Sequence, residues 1–285
     1  MANEAMREQW TAGAAGWVEN ESLFDTVFAP VTAAILDAAG FEAGQRVLDV
    51  GCGSGTLLAA AAAADAEPVG VDVSPGMVEG ARRRVPGAVV VVADAQTAPL
   101  LEEAPGRPFE RVVSRFGVMF FDDPTAAFAN LRAACAPGAR LAFACWRGEE
   151  ENPMFTLGTE ALLAQMAEPS AAAAPGAPGP TAFADPDRLS ALLAEAGWGE
   201  VATAPLDAVA DYGAVPGFGA DGVEARLTAS LATSTGRRAR AELEPRLGEA
   251  GWAALLDDVR TDLRRHLDDG VIRFPLACWL VTAVA

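Results

Sequence analysis

The sequence predicts an α/β protein built on a doubly wound, seven-stranded, mostly parallel sheet with helical insertions. Three observations carry that expectation. Short apolar β runs alternate with helical runs over residues 46–146, and such alternation argues for a parallel sheet covered on both faces. The first β run leads into Val47-Leu-Asp-Val-Gly-Cys-Gly-Ser-Gly-Thr56, which writes a buried strand, a glycine turn and a helix start in succession. A second helical block separates the last two β runs.

Taken in order, helical spacing predicts helices over residues 3–17 and 22–39, the second with Leu23, Val27, Val31, Ile35 and Leu36 apolar at helical spacing. Strands are expected over 46–50, 68–71, 88–92, 111–114 and 140–146, with helices starting near Gly55, Pro75 and Pro124. Beyond Trp146, residues 155–166 read as a helix and 168–180 as a mobile Pro, Ala and Gly linker. Asp185 suits an N-cap, Pro186 the first helical position and Gly197 the C-terminal cap of the next helix. Strands over 201–209 and 271–284 complete the seven. About sixty residues separate these two, far more than a hairpin needs, and helical runs at 223–232, 237–247 and 252–267 fill the gap.

This order divides the chain into an N-terminal helical lid (1–40), a ligand-binding core (41–150), a helix with linker (151–184), a core continuation (185–210), a helical lid insertion (211–270) and a last core strand (271–285). The helical segments would roof the open end of the sheet, where substrate specificity is expected. In such sheets ligands bind at the carboxyl ends of the strands, which is where the glycine turn falls.

Gly51, Gly53 and Gly55 remove the Cβ atoms that would hold a ligand off the backbone. Free amides at the helix start then face that ligand. A dinucleotide fingerprint would place a small residue at position 56, but Thr56 stands there and an acid, Asp49, lies inside the motif. A pyrophosphate gains nothing from that carboxylate, whereas an ammonium can be held by it. The turn therefore reads as a site for a ligand with a cationic amino-acid end.

At this point the residues resemble the class I S-adenosylmethionine-dependent methyltransferases, whose first motif has this form. Val69-Gly-Val-Asp-Val-Ser74 resembles the second strand, ending in Asp72, the acid that bonds both ribose hydroxyls in that family. Val89-Val-Val-Val-Ala-Asp-Ala95 resembles the third, followed by Asp94, which accepts the adenine amino group while the backbone of Ala95 lies near the ring. Phe109-Glu-Arg-Val-Val-Ser-Arg-Phe-Gly117 resembles the fourth strand, whose end approaches the methionine portion, and Leu131-Arg-Ala-Ala-Cys-Ala-Pro-Gly-Ala-Arg-Leu141 the turn into the fifth. The N-terminal pattern and Ser114-Arg-Phe-Gly117 are similar to the ubiquinone/menaquinone-biosynthesis-like group, many members of which modify bacterial secondary metabolites. The resemblance implies the Rossmann-like methyltransferase fold, S-adenosyl-L-methionine as cofactor, S-adenosyl-L-homocysteine as product and a small-molecule acceptor.

Carried onto this chain, the cofactor site comprises Asp49, Gly51, Cys52, Gly53, Asp72, Val73, Met77, Asp94, Ala95 and Phe116. Two residues join it on chemical grounds. Arg115 puts a charge at the end of a buried strand, where it would hold the cofactor carboxylate or a substrate anion unless it simply reaches solvent. Trp10, on the first helix, offers a ring face to a sulfonium. Trp17, Met119, Phe120, Trp146 and Arg147 are candidates for the acceptor pocket, against the plainer reading that they pack.

Methyl transfer asks little of side chains beyond alignment, exclusion of water and removal of a proton where one must leave. Candidates for a base are His266, the single histidine, in an Arg- and Asp-rich helix end; Asp122, beside Asp123, either of which would otherwise cap the next helix; and Tyr212, the single tyrosine, otherwise a surface turn residue. The acceptor atom stays open between N, C and O. The absence of lysine and of a clear histidine base leans towards an amine nitrogen or an activated carbon.

The net charge of −18 argues against nucleic acid and membrane surfaces as partners. The short runs Arg82-Arg-Arg84 and Arg237-Arg238 read as solvated helix faces. No segment reads as a signal peptide or membrane span, so a cytoplasmic location is expected. Cys52, Cys135, Cys145 and Cys278 lack a paired metal spacing, so no metal is expected and the last three read as packing residues. Oligomeric state is left open. Two other readings remain at this stage: an S-adenosylmethionine-binding protein that does not methylate, either a cyclase-type enzyme or a binding module, and an NAD-dependent dehydrogenase using the same turn.

Overall fold

The computed structural model describes residues 3–167, 174 and 176–285. Five parallel strands come first: β1 (Arg46–Val50), β2 (Glu67–Asp72), β3 (Val89–Val92), β4 (Phe109–Arg115) and β5 (Cys135–Trp146). Then come β6 (Gly199–Asp211), a two-residue β7 (Leu267–Asp268) and β8 (Val271–Val284). The order across the sheet is β3-β2-β1-β4-β5-β8-β6, with β8 antiparallel to both neighbours and β7 paired only to β8. This is an α/β doubly wound fold of the Rossmann-like methyltransferase type. The seven strands of the main path are the seven expected, and β7 is an addition.

Helices α1 (Glu4–Glu19), α2 (Glu21–Val27) and α3 (Ala29–Ala39) precede the sheet. Helices α4 (Thr56–Ala63), α5 (Pro75–Arg84), α6 (Leu100–Glu103) and α7 (Pro124–Ala133) fall between its parallel strands, followed by α8 (Glu160–Leu163) and α9 (Pro186–Glu195). Helices α10 (Val223–Ala232) and α11 (Ser234–Arg264) lie between β6 and β7. Every residue of β1 is buried, as a central strand covered on both faces requires. α1 packs closely on α5: a Cβ added at Gly76 would lie 2.8 Å from Ala14 Cβ, and one at Gly80 2.9 Å from Val18 Cγ2.

Three helix expectations are corrected. The single helix over 22–39 is two, α2 and α3, bent by 72°. Pro30 sits in the first turn of α3, where it lacks an amide donor and turns the preceding chain away from helical geometry. The helix over 155–166 is reduced to a 3-10 turn, Pro153–Phe155, and the short α8, because Gly158 between them takes φ +79, outside the right-handed region. The runs 237–247 and 252–267 form one element broken at Gly248 (φ 69, ψ 173), which ends at Arg264. The 168–180 linker lies largely outside the described residues.

Asp185 caps α9, accepting from the amides of Asp187 and Arg188. Asp123 caps α7 through the amide of Ala126. Cys145 and Cys278 are buried and Cys135 partly so, all as free thiols. Among the described residues, no single helix is long and apolar enough to cross a membrane, and the bent α2–α3 pair buries Leu23, Phe24, Val27, Val31 and Ile35.

Candidate active site

The glycine turn leaves β1 with Gly51, Gly53 and Gly55 at φ 65, 53 and 92, values that favour glycine. The amides of Gly51 and Cys52 both donate to Val71 O (2.9 and 3.1 Å), which pins the turn to β2. A Cβ at Gly53 would meet nothing within 4 Å, so the turn's outer face is open. Asp72 ends β2 and accepts from the amides of Gly53 (3.0 Å) and Ser74 (2.9 Å). Burial nevertheless pushes its carboxyl up to about 6. Asp49, 2% exposed inside β1, is pushed up to about 8, chiefly by burial, with Arg115 opposing the rise and Asp72 adding to it. Two carboxyls displaced in this way at the carboxyl ends of neighbouring strands make this a candidate ligand site.

Asp94, past β3, accepts through Oδ1 from Asn3 Nδ2 (2.8 Å) and the Gln96 amide (2.9 Å). Asn3 in turn clasps Asp122, its amide donating to Asp122 Oδ2 (2.5 Å) and its Oδ1 accepting from the Asp122 amide (2.6 Å). The start of α1 is thereby tied to the ends of β3 and β4.

Arg115 reaches helices instead of solvent. Its Nη1 donates to Thr32 Oγ1 (2.8 Å) and its Nη2 to Thr56 Oγ1 (3.2 Å), with Asp25 Oδ1 at 3.5 Å. Asp25 also pairs with Arg84 at 2.6 Å and accepts from Thr56 Oγ1 at 2.6 Å. This cluster joins α2, α3, α4, α5 and β4 behind the glycine turn.

A cavity of about 550 Å³ opens in front of the turn, inside the range of roughly 300–1,000 Å³ typical of small-molecule sites. Its wall is aromatic. Trp17 stacks on Phe24 (3.9 Å between centroids, 20°), Phe116 on Trp146 (4.3 Å, 5°), and Phe28 lies edge-on to both Phe116 and Trp146. Trp10 meets Phe120 edge-on at 5.1 Å and Phe155 closes the far side against Trp146. Phe116 takes φ 68, an uncommon conformation for a bulky side chain.

Trp10, Trp17, Asp49, Gly51, Cys52, Gly53, Asp72, Val73, Met77, Asp94, Ala95, Arg115, Phe116, Met119, Phe120, Trp146 and Tyr212 all line this cavity. Three candidates do not. His266 is exposed just past the end of α11, and its amide closes the helix onto Leu263 O. Asp122 is spent on Asn3. Arg147 turns to Glu151 (2.7 Å) and Asp207 (3.0 Å) and lies over Trp279. Tyr212 is no surface residue: it is 1% exposed and packs edge-on against Phe274.

Sequence reasoning missed Asn3, Asp25, Phe24, Phe28, Phe155 and Arg226, all on the cavity wall. Trp10, Trp17 and Phe24 recur every seven residues, a helical spacing that could have revealed the stripe. Arg226 follows Val223 by three positions and precedes Ser230 by four, which places a charge on a buried face.

Residues 47–138 match a family described as a methyltransferase domain. Demethylmenaquinone methyltransferase of Renibacterium salmoninarum is 30% identical over 177 residues, covering 59% of this chain and 72% of the relative. The chain belongs to the class I S-adenosylmethionine-dependent methyltransferases. Its cofactor is S-adenosylmethionine, and the dehydrogenase reading falls with that assignment. The aklanonic acid methyltransferase DauC of a Streptomyces species is 32% identical over 148 residues, 48% of this chain and 60% of the relative. Among solved structures, YcgJ of Bacillus subtilis is similar at TM-score 0.52 and 15% identity, covering 89% of this chain and 97% of its own. A chain solved with the Haloferax volcanii Trm112 methyltransferase activator is similar at TM-score 0.54 and 17% identity, covering 98% and 96%. At such identities these two speak for the fold alone.

The class I methyltransferase cavity in this chain carries charges of both signs. Asp49, Asp72 and Asp94 line it from the strand side with the ion-paired Arg115, Glu21 and Asp25 line it from α2, Glu149 from the segment after β5, and Arg226 and Arg237 bring guanidinium groups from α10 and α11.

Proposed function

We propose that the protein methylates a planar, aromatic or quinone-like small molecule held against the ring wall formed by Trp17, Phe24, Phe28, Phe116 and Trp146. The observation that carries this reading is the continuous run of stacked and edge-on rings around one cavity. Flat aromatic ligands gain both apolar burial and ring contacts on such a wall. Relatives named for demethylmenaquinone and aklanonic acid lend the same direction.

The residues present fit S-adenosylmethionine. The bare backbone at Gly53 admits close approach, Asp72 would take the ribose hydroxyls, and Asp94 keeps Oδ2 free of hydrogen bonds among the described residues. Asp49 would face the amino-acid ammonium. When bound, the cofactor supplies a methyl group already activated by its sulfonium. The chain's task is then to line up an acceptor atom, and the aromatic wall does this while excluding water.

No histidine or lysine stands at the cavity, since His266 is exposed at the end of α11 and the chain contains no lysine. Proximity and orientation therefore supply the rate, and the acceptor is one that is nucleophilic without a strong base. An activated ring carbon or an acidic hydroxyl oxygen fits that demand. A simple alkylamine offers no ring to the aromatic wall.

Trp10, Trp17 and Trp146 give a direct readout. Titrating protein saturated with S-adenosylhomocysteine with 2-hydroxy-1,4-naphthoquinone should quench tryptophan fluorescence saturably, while a simple alkylamine should not. Saturable response to the amine alone would overturn the reading.

A further inference from the structure

Arg226 is the one residue of α10 that brings a positive charge to the cavity, and it is 2% exposed. A buried charge is costly unless it is paired. Its Nη2 donates to the carbonyls of Met154 (2.5 Å) and Leu157 (2.8 Å), and the guanidinium lies over the rings of Tyr212 (5.6 Å) and Phe274 (5.4 Å). Among the described residues it meets no carboxylate. Nε is sealed from solvent with no hydrogen-bond partner, and Nη1 donates to nothing among the described residues.

Arg46 provides an internal comparison. It is 4% exposed and its guanidinium also lacks a carboxylate within bonding distance among the described residues, but its two Nη groups donate to the carbonyls of Ala104, Pro105 and Arg107, and it lines no part of the cavity. That arginine is structural, with both Nη groups bonded to backbone carbonyls. Arg226 keeps Nη1 in reserve at a ligand wall.

The surroundings of Arg226 point the same way. The hydroxyl of Tyr212 makes no hydrogen bond among the described residues, although the side chain lines the cavity. Arg237, also on the wall, donates among the described residues only to the carbonyls of Ala232 (2.6 Å) and Gln9 (3.4 Å). The acids of the cavity are occupied or lie elsewhere: Asp25 is paired with Arg84 and Arg115, Glu21 lies 3.9 Å from Arg84, Asp49 and Asp72 sit at the glycine turn, Asp94 accepts from Asn3 and Gln96, and Glu149 is exposed.

We propose that Arg226 and the hydroxyl of Tyr212, whose ring lies under the guanidinium, receive a carboxylate carried by the acceptor, so that the substrate is a planar aromatic acid oriented with its anionic end towards α10. This rests on the aromatic-acceptor reading above and adds the charge and the direction of binding. Arg226 acts as a specificity-determining residue: it holds the acid end while the ring system lies along Phe116 and Trp146.

The test uses a matched pair of probes, anthraquinone-2-carboxylate and anthraquinone-2-carboxamide, titrated calorimetrically into the full-length protein saturated with S-adenosylhomocysteine. Wild type should bind the carboxylate about tenfold or more tightly than the carboxamide, the scale of a charge-assisted hydrogen bond. Arg226→Gln should bring the two to near equality while S-adenosylhomocysteine affinity holds, and Tyr212→Phe should narrow the gap in part. Equal binding of both probes by wild type would overturn the carboxylate assignment and leave the aromatic reading intact, whatever the folding of the variants. Binding of neither probe would overturn the aromatic reading and this inference with it. A preference that survives Arg226→Gln but is lost in Arg237→Gln would contradict the role given to Arg226.

Discussion

Gly51 and Gly117 lie back to back: a Cβ added to Gly51 would fall 2.8 Å from Gly117 Cα, and one added to Gly117 would fall 2.5 Å from Val50 O. The glycine turn and the end of β4 can approach this closely only because both residues lack a side chain. Gly117→Ala must push the two apart. We expect a loss of stability of about 1–3 kcal/mol, the cost of overpacking, read by urea denaturation, and at least a tenfold weaker binding of S-adenosylhomocysteine. Unchanged affinity would show that the turn tolerates a shifted β4.

Asp72 ties the turn to β2 through the Gly53 and Ser74 amides. Asp72→Ala removes these ties and the carboxylate offered to the ribose. Calorimetry should show S-adenosylhomocysteine binding weakened by about tenfold to a hundredfold, since hydrogen bonds to charged groups contribute about 1.5–3 kcal/mol each. Retained affinity would mean the ribose lies elsewhere.

The two raised carboxyls give a pH dependence of defined sign. Asp49 at about 8 and Asp72 at about 6 both stand above the ordinary value of 3.8. The ligand-free fold therefore holds protons that the unfolded chain has released, and its stability falls as pH climbs from about 4 towards 8. Ligand binding runs the other way. An ammonium at Asp49 and ribose hydroxyls at Asp72 favour the ionised forms, so affinity for S-adenosylhomocysteine should rise with pH across this window and binding should release protons. Calorimetry in buffers of different ionisation enthalpy measures that release; proton uptake would contradict the assignment.

Arg115 and Asp25 couple the N-terminal helices to the sheet at 3.5 Å. Arg115→Met should destabilise by about 1–3 kcal/mol, because Asp25 keeps Arg84 and Thr56. A double-mutant cycle with Asp25→Asn should show coupling between the two. Strict additivity would mean that Arg115 is held by Thr32 and Thr56 alone.

Strands β1 to β4 were legible because they are short apolar runs bounded by turn residues, and β1, α5, α7, α9, α10 and β8 begin within a residue or two of where capping and periodicity put them. What failed was local. Pro30 splits a helix whose apolar spacing runs through unbroken, and Gly158 unwinds another. The carboxylates of the glycine-turn side could be found from motifs because they follow strands at fixed places. Phe28 and Phe155 could not, since they reach one cavity from separate elements, and no local pattern records such a meeting. His266 stood out only by being unique, which says nothing about where a helix end points.

The most direct test of the central claim is a transfer assay: protein incubated with methyl-labelled S-adenosylmethionine and a panel of hydroxylated naphthoquinones and anthraquinone carboxylic acids, followed by mass spectrometry. Methyl transfer predicts equal amounts of S-adenosylhomocysteine and a singly methylated aromatic product, both lost in Asp72→Ala. Tight cofactor binding with methylated product from no aromatic acceptor, or from an alkylamine instead, would contradict it.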